Sequence, residues 1–133
     1  AIAGSRRGIV VGTGNKVEDF GVGFYTKYGD GGVDISPIAD LMKSEVYALA
    51  EELGVIEDIQ NSIPNDGLWA DGRSDEDQIG ATYEELEWAM KQIDESRGED
   101  LSNRQKEVME IYQKLHKANS HKMKEIPIYI KNS

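Results

Sequence analysis

The sequence has no cysteine, only two histidines and only three prolines among 133 residues. Without thiols it cannot build the disulfide framework on which small secreted domains depend, which points to a reducing compartment such as the cytoplasm. Two histidines and no cysteine also argue against a structural zinc site. Long apolar runs are missing: no stretch approaches the ~20 residues of a membrane-spanning helix, and none resembles a signal peptide. Positive charge is scarce. Fifteen basic residues face twenty-five acidic ones, a net charge of −10, and a surface of that sign repels nucleic acid and anionic membranes.

What is present is a globular balance, 38% hydrophobic and 30% charged, in a chain the size of one domain or the larger part of one. The acid is concentrated between about Glu45 and Glu110; Lys114, Lys117, Lys122, Lys124 and Lys131 then make the end of the chain basic. The opening Ala1-Ile2-Ala3-Gly4 reads like the end of an interrupted helix. Gly8-Ile9-Val10-Val11-Gly12-Thr13 is a β-branched run between glycines, the pattern of a parallel strand buried on both faces. It runs out into the polar loop Gly14-Asn15-Lys16, followed by five glycines between Gly21 and Gly32.

Three helical signals follow in order. Leu41, Val46, Leu49, Ala50 and Leu53 form an apolar stripe that predicts a helix from about Asp40 to Leu53, with Gly54 as its C-terminal cap. Residues 62–77 read as a polar loop around Pro64 and Trp69. Thr82 and Glu85 form a capping box that opens a second helix with Tyr83, Leu86, Met90 and Ile93 on its buried side. Arg97-Gly98-Glu99-Asp100 breaks that helix, and Ser102 with Gln105 opens a third, with Val108, Ile111, Tyr112 and Leu115 on one face. Beyond Ala118 the chain reads as a basic tail, and Pro127 places Ile126–Ile130 at a sheet edge or in an extended tail. One strand cannot make a sheet. The pattern is therefore either a small helical domain or part of an α/β fold whose other strands lie upstream.

Ligands of open α/β sheets bind beyond the carboxyl ends of the strands. Thr13 sits at such an end, and Glu18 in the following loop is an oxygen ligand of the kind Mg²⁺ takes. Read alone, both also fit an ordinary solvated turn. Lys43 falls in the first turn of its helix, where the dipole disfavours a cation; it either points to solvent or joins the helix end in holding a phosphate. His121-Lys122 is a small basic cluster with no evident core role.

Taken in order, Val11-Gly12-Thr13-Gly14-Asn15 with Glu18, Thr26-Lys27-Tyr28-Gly29-Asp30-Gly31-Gly32, Asp34-Ile35-Ser36-Pro37-Ile38, Leu41-Met42-Lys43, Ile63-Pro64, Leu68-Trp69, Ser74-Asp75-Glu76, Gly80, Tyr83 and His121-Lys122-Met123 resemble the second half of NAD synthetases of the ammonia-dependent type. The resemblance implies that residues 1–133 are the C-terminal portion of a single synthetase domain. Its fold would be α/β, part of an adenine-nucleotide hydrolase-like parallel sheet with flanking helices, with the N-terminal strands outside this chain. The implied activity is ATP-dependent amidation of deamido-NAD to NAD through an adenylated intermediate attacked by ammonia, with Mg²⁺ as cofactor and a homodimer as the working assembly. Position by position, it implies that Thr13, Lys43 and Asn65 contact ATP, that Lys27, Asp34, His121 and Lys122 contact deamido-NAD, and that Glu18 binds Mg²⁺.

Two departures qualify that transfer. Asn65 stands where the family has serine or threonine, although an amide still donates and accepts. The family's Ser-Gly-Gly-x-Asp-Ser phosphate loop and an upstream substrate-binding arginine are not in the sequence, so the chain by itself is expected to be inactive. The competing readings are another ATP pyrophosphatase of the same fold, such as GMP synthetase, and a non-catalytic helical interaction domain. The upstream sequence discriminates among them.

Overall fold

The computed structural model describes residues 1–95 and 100–131. Most of the predicted break at Arg97-Gly98-Glu99-Asp100 lies outside them. The helices are α1 (Ile2–Ser5), α2 (Lys43–Glu52), α3 (Glu57–Gln60), α4 (Asp75–Ile79), α5 (Tyr83–Glu95) and α6 (Asn103–Met123), and a π-helix spans Lys16–Val22 between α1 and α2. No helix among the described residues is long and apolar enough to cross a membrane.

The core lies where α5, α6 and the π-helix meet. Val17 and Val22 of the π-helix pack with Tyr83, Leu86, Ala89 and Met90 of α5 and with Val108 and Tyr112 of α6; Ile111 and Leu115 lie against this cluster. Both capping boxes form as expected. Glu85 accepts from the Thr82 amide at 3.0 Å, while the Glu85 amide donates to Thr82 Oγ1. Ser102 and Gln105 repeat the arrangement at the start of α6. At the end of α2, Gly54 takes φ 67°, its amide bonds the Glu51 carbonyl, and the Val55 amide reaches back to Ala50. This is a Schellman ending, which needs a residue tolerant of the left-handed region.

Several expectations change. The predicted strand is represented by one isolated parallel bridge, Val11 with Ile35, supported by Gly12 N–H to Ile35 at 2.7 Å and Asp34 N–H to Val10 at 2.9 Å. Ile9, Val10 and Val11 stay exposed, because a strand patterned for burial on both faces finds only the 34–35 segment beside it among the described residues. No parallel sheet is formed by them. The apolar stripe of α2 is not buried either: Leu49 and Leu53 face solvent, and so does Ile93 of α5. α2 begins at Lys43 rather than near Asp40, because Met42 is still extended (φ −65°, ψ 160°). The loop expected over 62–77 gives way to α4 at Asp75, capped by Ser74 with Asp77. Finally, the segment after Ala118 continues α6, so His121 and Lys122 lie in its last turn. Residues 126–130 do form an exposed tail.

The polar loop read after Thr13 becomes the π-helix, and its formation has local and remote causes. Asn15 is buried and its side-chain oxygen accepts from the Val17 and Glu18 amides, capping the start. At the other end, α6 side chains take carbonyls that a π-turn leaves open: His116 Nδ1 lies 2.8 Å from the Gly21 oxygen, and Asn119 Nδ2 donates to Val22. Gly23 closes the turn at φ 66°; a Cβ there would come within 2.4 Å of Asn119 Cβ, so both conformation and space demand glycine.

Candidate functional site

The π-helix and the start of α2 are drawn together by Lys16, whose amide bonds the Leu41 carbonyl at 2.8 Å and whose ammonium meets Asp40 at 2.9 Å. Their approach sets Glu18 beside Lys43. Lys43 Nζ donates to Glu18 Oε1 at 2.6 Å, and both side chains are only 16% exposed. This resolves the helix-end problem: the lysine at the N-terminus of α2 has a counter-ion supplied by another element. A cavity of about 320 Å³ opens beside the pair, lined by Thr13, Gly14, Glu18, Asp19, Phe24, Asp30, Lys43, Pro64, Asn65, Asp66 and Asp75. Four predicted residues, Thr13, Glu18, Lys43 and Asn65, thus share one cavity although they span more than fifty positions of sequence.

The remaining four do not join them. Lys27, His121 and Lys122 come together at a separate cavity of about 460 Å³ with Tyr25, Thr26 and Tyr28. Lys27 Nζ donates to the His121 carbonyl at 2.8 Å. Lys122 Nζ donates to the Gly23 and Tyr25 carbonyls at 2.9 and 2.7 Å. Lys122 also lines a third cavity with Asp30 and Asp66, residues that line the first one as well, so the two regions are neighbours along one face. Asp34 is placed apart: its Oδ2 accepts from the Val10 amide at 2.7 Å, steadying the parallel bridge.

Sequence reasoning missed four groups. Lys43 Nζ lies 4.6 Å from the centroid of the Tyr83 ring, and the Tyr83 hydroxyl donates to Asp75 Oδ2 at 3.1 Å. Burial first, then the charge of Glu18, pushes the Tyr83 phenol far above its ordinary value; it stays protonated and remains a donor. Burial likewise raises the Asp75 carboxyl. Asp19, beside Glu18, is pushed up to about 6, chiefly by burial and then by Glu18 and Asp30. The fourth is Glu87 of α5, which accepts from both the amide and the hydroxyl of Ser44 at 2.7 and 2.8 Å and so caps the start of α2 from another helix. A sequence signal existed for Glu87: helical spacing puts it on the same face as Tyr83, Leu86 and Met90.

The cavity's donors fit a particular kind of cation. Among the described residues no three carboxylate or imidazole groups converge to hold a metal unaided. Five of the cavity's eleven lining residues nonetheless carry carboxylates, and Mg²⁺ is commonly held by one or two carboxylates with phosphate and water completing its shell. The lining suits a cation that arrives with phosphates rather than one held by the chain alone.

Comparison with known proteins places the chain in a family. Residues 1–126 match the family model described as NAD synthase. A protein named NH(3)-dependent NAD(+) synthetase from Methanococcoides burtonii is 48% identical over 92 residues, 69% of this chain and 34% of its own length. One of the same name from Alkaliphilus metalliredigens is 43% identical over 121 residues, 91% of this chain and 44% of its own. The solved structure of NMN synthetase from Francisella tularensis superposes with a TM-score of 0.80 at 34% identity, covering 96% of this chain and 49% of that one. The chain therefore spans under half the length of these curated relatives. With residues 1–126 of the 133 inside the family match, the chain belongs to the NAD synthase family.

Proposed function

We propose that the complete gene product carrying this chain is a ligase that uses ATP to amidate deamido-NAD with ammonia. The observation that carries the reading is the Glu18–Lys43 pair at a cavity also lined by Thr13 and Asn65. In the complete protein, residues 8–13 would join a parallel sheet of the adenine-nucleotide hydrolase type, and Thr13 would lie beyond its carboxyl edge.

In this reading the nicotinate carboxylate attacks the α-phosphorus of ATP and pyrophosphate leaves. Ammonia then adds to the acyl carbon, AMP departs with the bonding pair on its phosphate oxygen, and the ammonia nitrogen gives up one proton to become the amide. Lys43 donates to phosphate oxygens and spreads their growing charge. Thr13 and Asn65 bond the nucleotide. Glu18 would hold Mg²⁺, which when bound neutralises phosphate charge. On the neighbouring face Lys27, His121 and Lys122 would take the anionic dinucleotide, the Lys27 and Lys122 ammonium groups moving off the backbone carbonyls they now hold; Asp34 joins this reading through its family position. The reading extends to a homodimer in the cytoplasm.

The test supplies the purified complete gene product with Mg²⁺, ATP, ammonium and either deamido-NAD or the corresponding mononucleotide. Chromatography should show NAD and AMP formed together in equal amounts. Amidation of the mononucleotide alone would move the acceptor to that of the Francisella structure. No AMP with either acceptor overturns the reading. Light scattering that gives a strict monomer overturns the dimer.

A further inference from the structure

We infer that Asp75 is a positioning residue for Lys43, taking over the lysine's ammonium when an incoming ligand draws Glu18 away. The inference rests on the functional reading above and concerns a residue which that reading does not use.

Five carboxylates, Glu18, Asp19, Asp30, Asp66 and Asp75, line the cavity with a single ammonium, Lys43. Asp75 differs from the others. It is 8% exposed, its Oδ2 holds the Tyr83 hydroxyl, and its Oδ1 is buried with no hydrogen-bond partner. Buried carboxylate oxygens are nearly always bonded, because leaving one unbonded forfeits its hydration without return. An orphan oxygen on a group lining a ligand cavity therefore marks a contact made in another state.

Lys43 is the group placed to make it. Its ammonium carries three donors, of which the structure uses one, on Glu18. It lies over the ring of Tyr83, and that ring's hydroxyl ends on Asp75. The lysine and the aspartate thus lie along one aromatic side chain, at the edge of the same cavity. With Glu18 on Lys43, the lysine is neutralised. Once the Glu18 carboxylate turns to a divalent cation entering with phosphate, Lys43 loses its counter-ion in a half-buried site. Asp75 then offers an open acceptor that keeps the ammonium charged and aimed into the cavity, and its own orphan oxygen is satisfied by the same exchange.

The test uses the complete gene product in four forms: wild type, D75N, K43A and the double variant, with D75E as the conservative control. The readouts are KM for ATP, kcat, Mg²⁺-ATP binding by calorimetry, and the melting temperature without ligand. D75N should raise KM for ATP about tenfold, with kcat changed much less and the ligand-free melting temperature unchanged or higher. D75E should recover part of the loss. Because Asp75 acts through Lys43, the double variant should bind no worse than K43A alone. D75N kinetics within twofold of wild type, multiplicative effects in the double variant, or early melting of D75N would each overturn the inference. A wild-type protein that binds no Mg²⁺-ATP overturns the functional reading as well, so the two failures are distinguishable.

Discussion

Replacing Glu87 by alanine should detach the start of α2 from α5. Glu87 is 7% exposed, and its two oxygens accept from the Ser44 amide at 2.7 Å and the Ser44 hydroxyl at 2.8 Å. Ser44 is the second residue of α2, so its amide is among the first four of the helix, which have no partner inside it. The carboxylate also faces the positive end of the helix dipole. A hydrogen bond to a charged group contributes about 1.5–3 kcal/mol, but Ser44 is itself exposed and can be rehydrated, which places the net loss near 2 kcal/mol for both bonds together. With a urea dependence of roughly 2 kcal/mol per molar, the midpoint of unfolding should fall by about 1 M. Ser44→Ala removes only the hydroxyl bond and should cost about 1 kcal/mol. In the double variant the hydroxyl term should be lost once, giving a coupling of similar size. Urea melts of the three variants, followed by helix circular dichroism, measure this. A midpoint within 0.2 M of wild type (about 0.4 kcal/mol) for Glu87→Ala, or strictly additive losses, would refute the idea that this carboxylate ties α2 to the core.

Three further outcomes are expected. Lys43→Ala in the complete gene product should weaken ATP use by about 1.5–3 kcal/mol, the range for a lost charge-assisted contact, and unchanged ATP dependence would return the residue to a purely structural pairing with Glu18. Glu18→Gln should shift the Mg²⁺ titration of AMP release to higher metal concentration at saturating ATP and deamido-NAD, and overlapping curves would remove it as a metal ligand. For Asp19, a folded value of about 6 against an ordinary 3.8 means the ionised form opposes folding; stability is greatest below the ordinary value and is lost as pH rises through about 4 to 6. Asp19→Asn should therefore raise the unfolding free energy at pH 8 without divalent ions by about 1–2 kcal/mol after solvent screening, seen as a higher melting temperature, and lose that advantage near pH 4. An equal effect at both pH values would contradict the burial of this carboxylate.

The sequence alone determined what depends on neighbours three or four positions apart. The Thr82–Glu85 and Ser102–Gln105 boxes and the Gly54 ending are built from residues that meet as soon as the chain turns, and they appear where the pattern placed them. The Ser74–Asp77 cap of α4 is equally local but was hidden in a run dense in acidic residues that also suits a loop. The order of motifs likewise pointed to the family. Tertiary structure decided whatever needs a partner far along the chain. Nothing near Lys16 announces a π-helix, because its open carbonyls are met by His116 and Asn119 nearly a hundred residues on. Lys43 looked misplaced at a helix start until the fold set Glu18 against it, and Asp75 was one acid among many until Tyr83 bonded one of its oxygens and burial left the other without a partner. The β-branched run at 8–13 carried the pattern of a buried strand, yet burial is conferred by neighbouring layers, and among the described residues only the segment at Ile35 lies beside it.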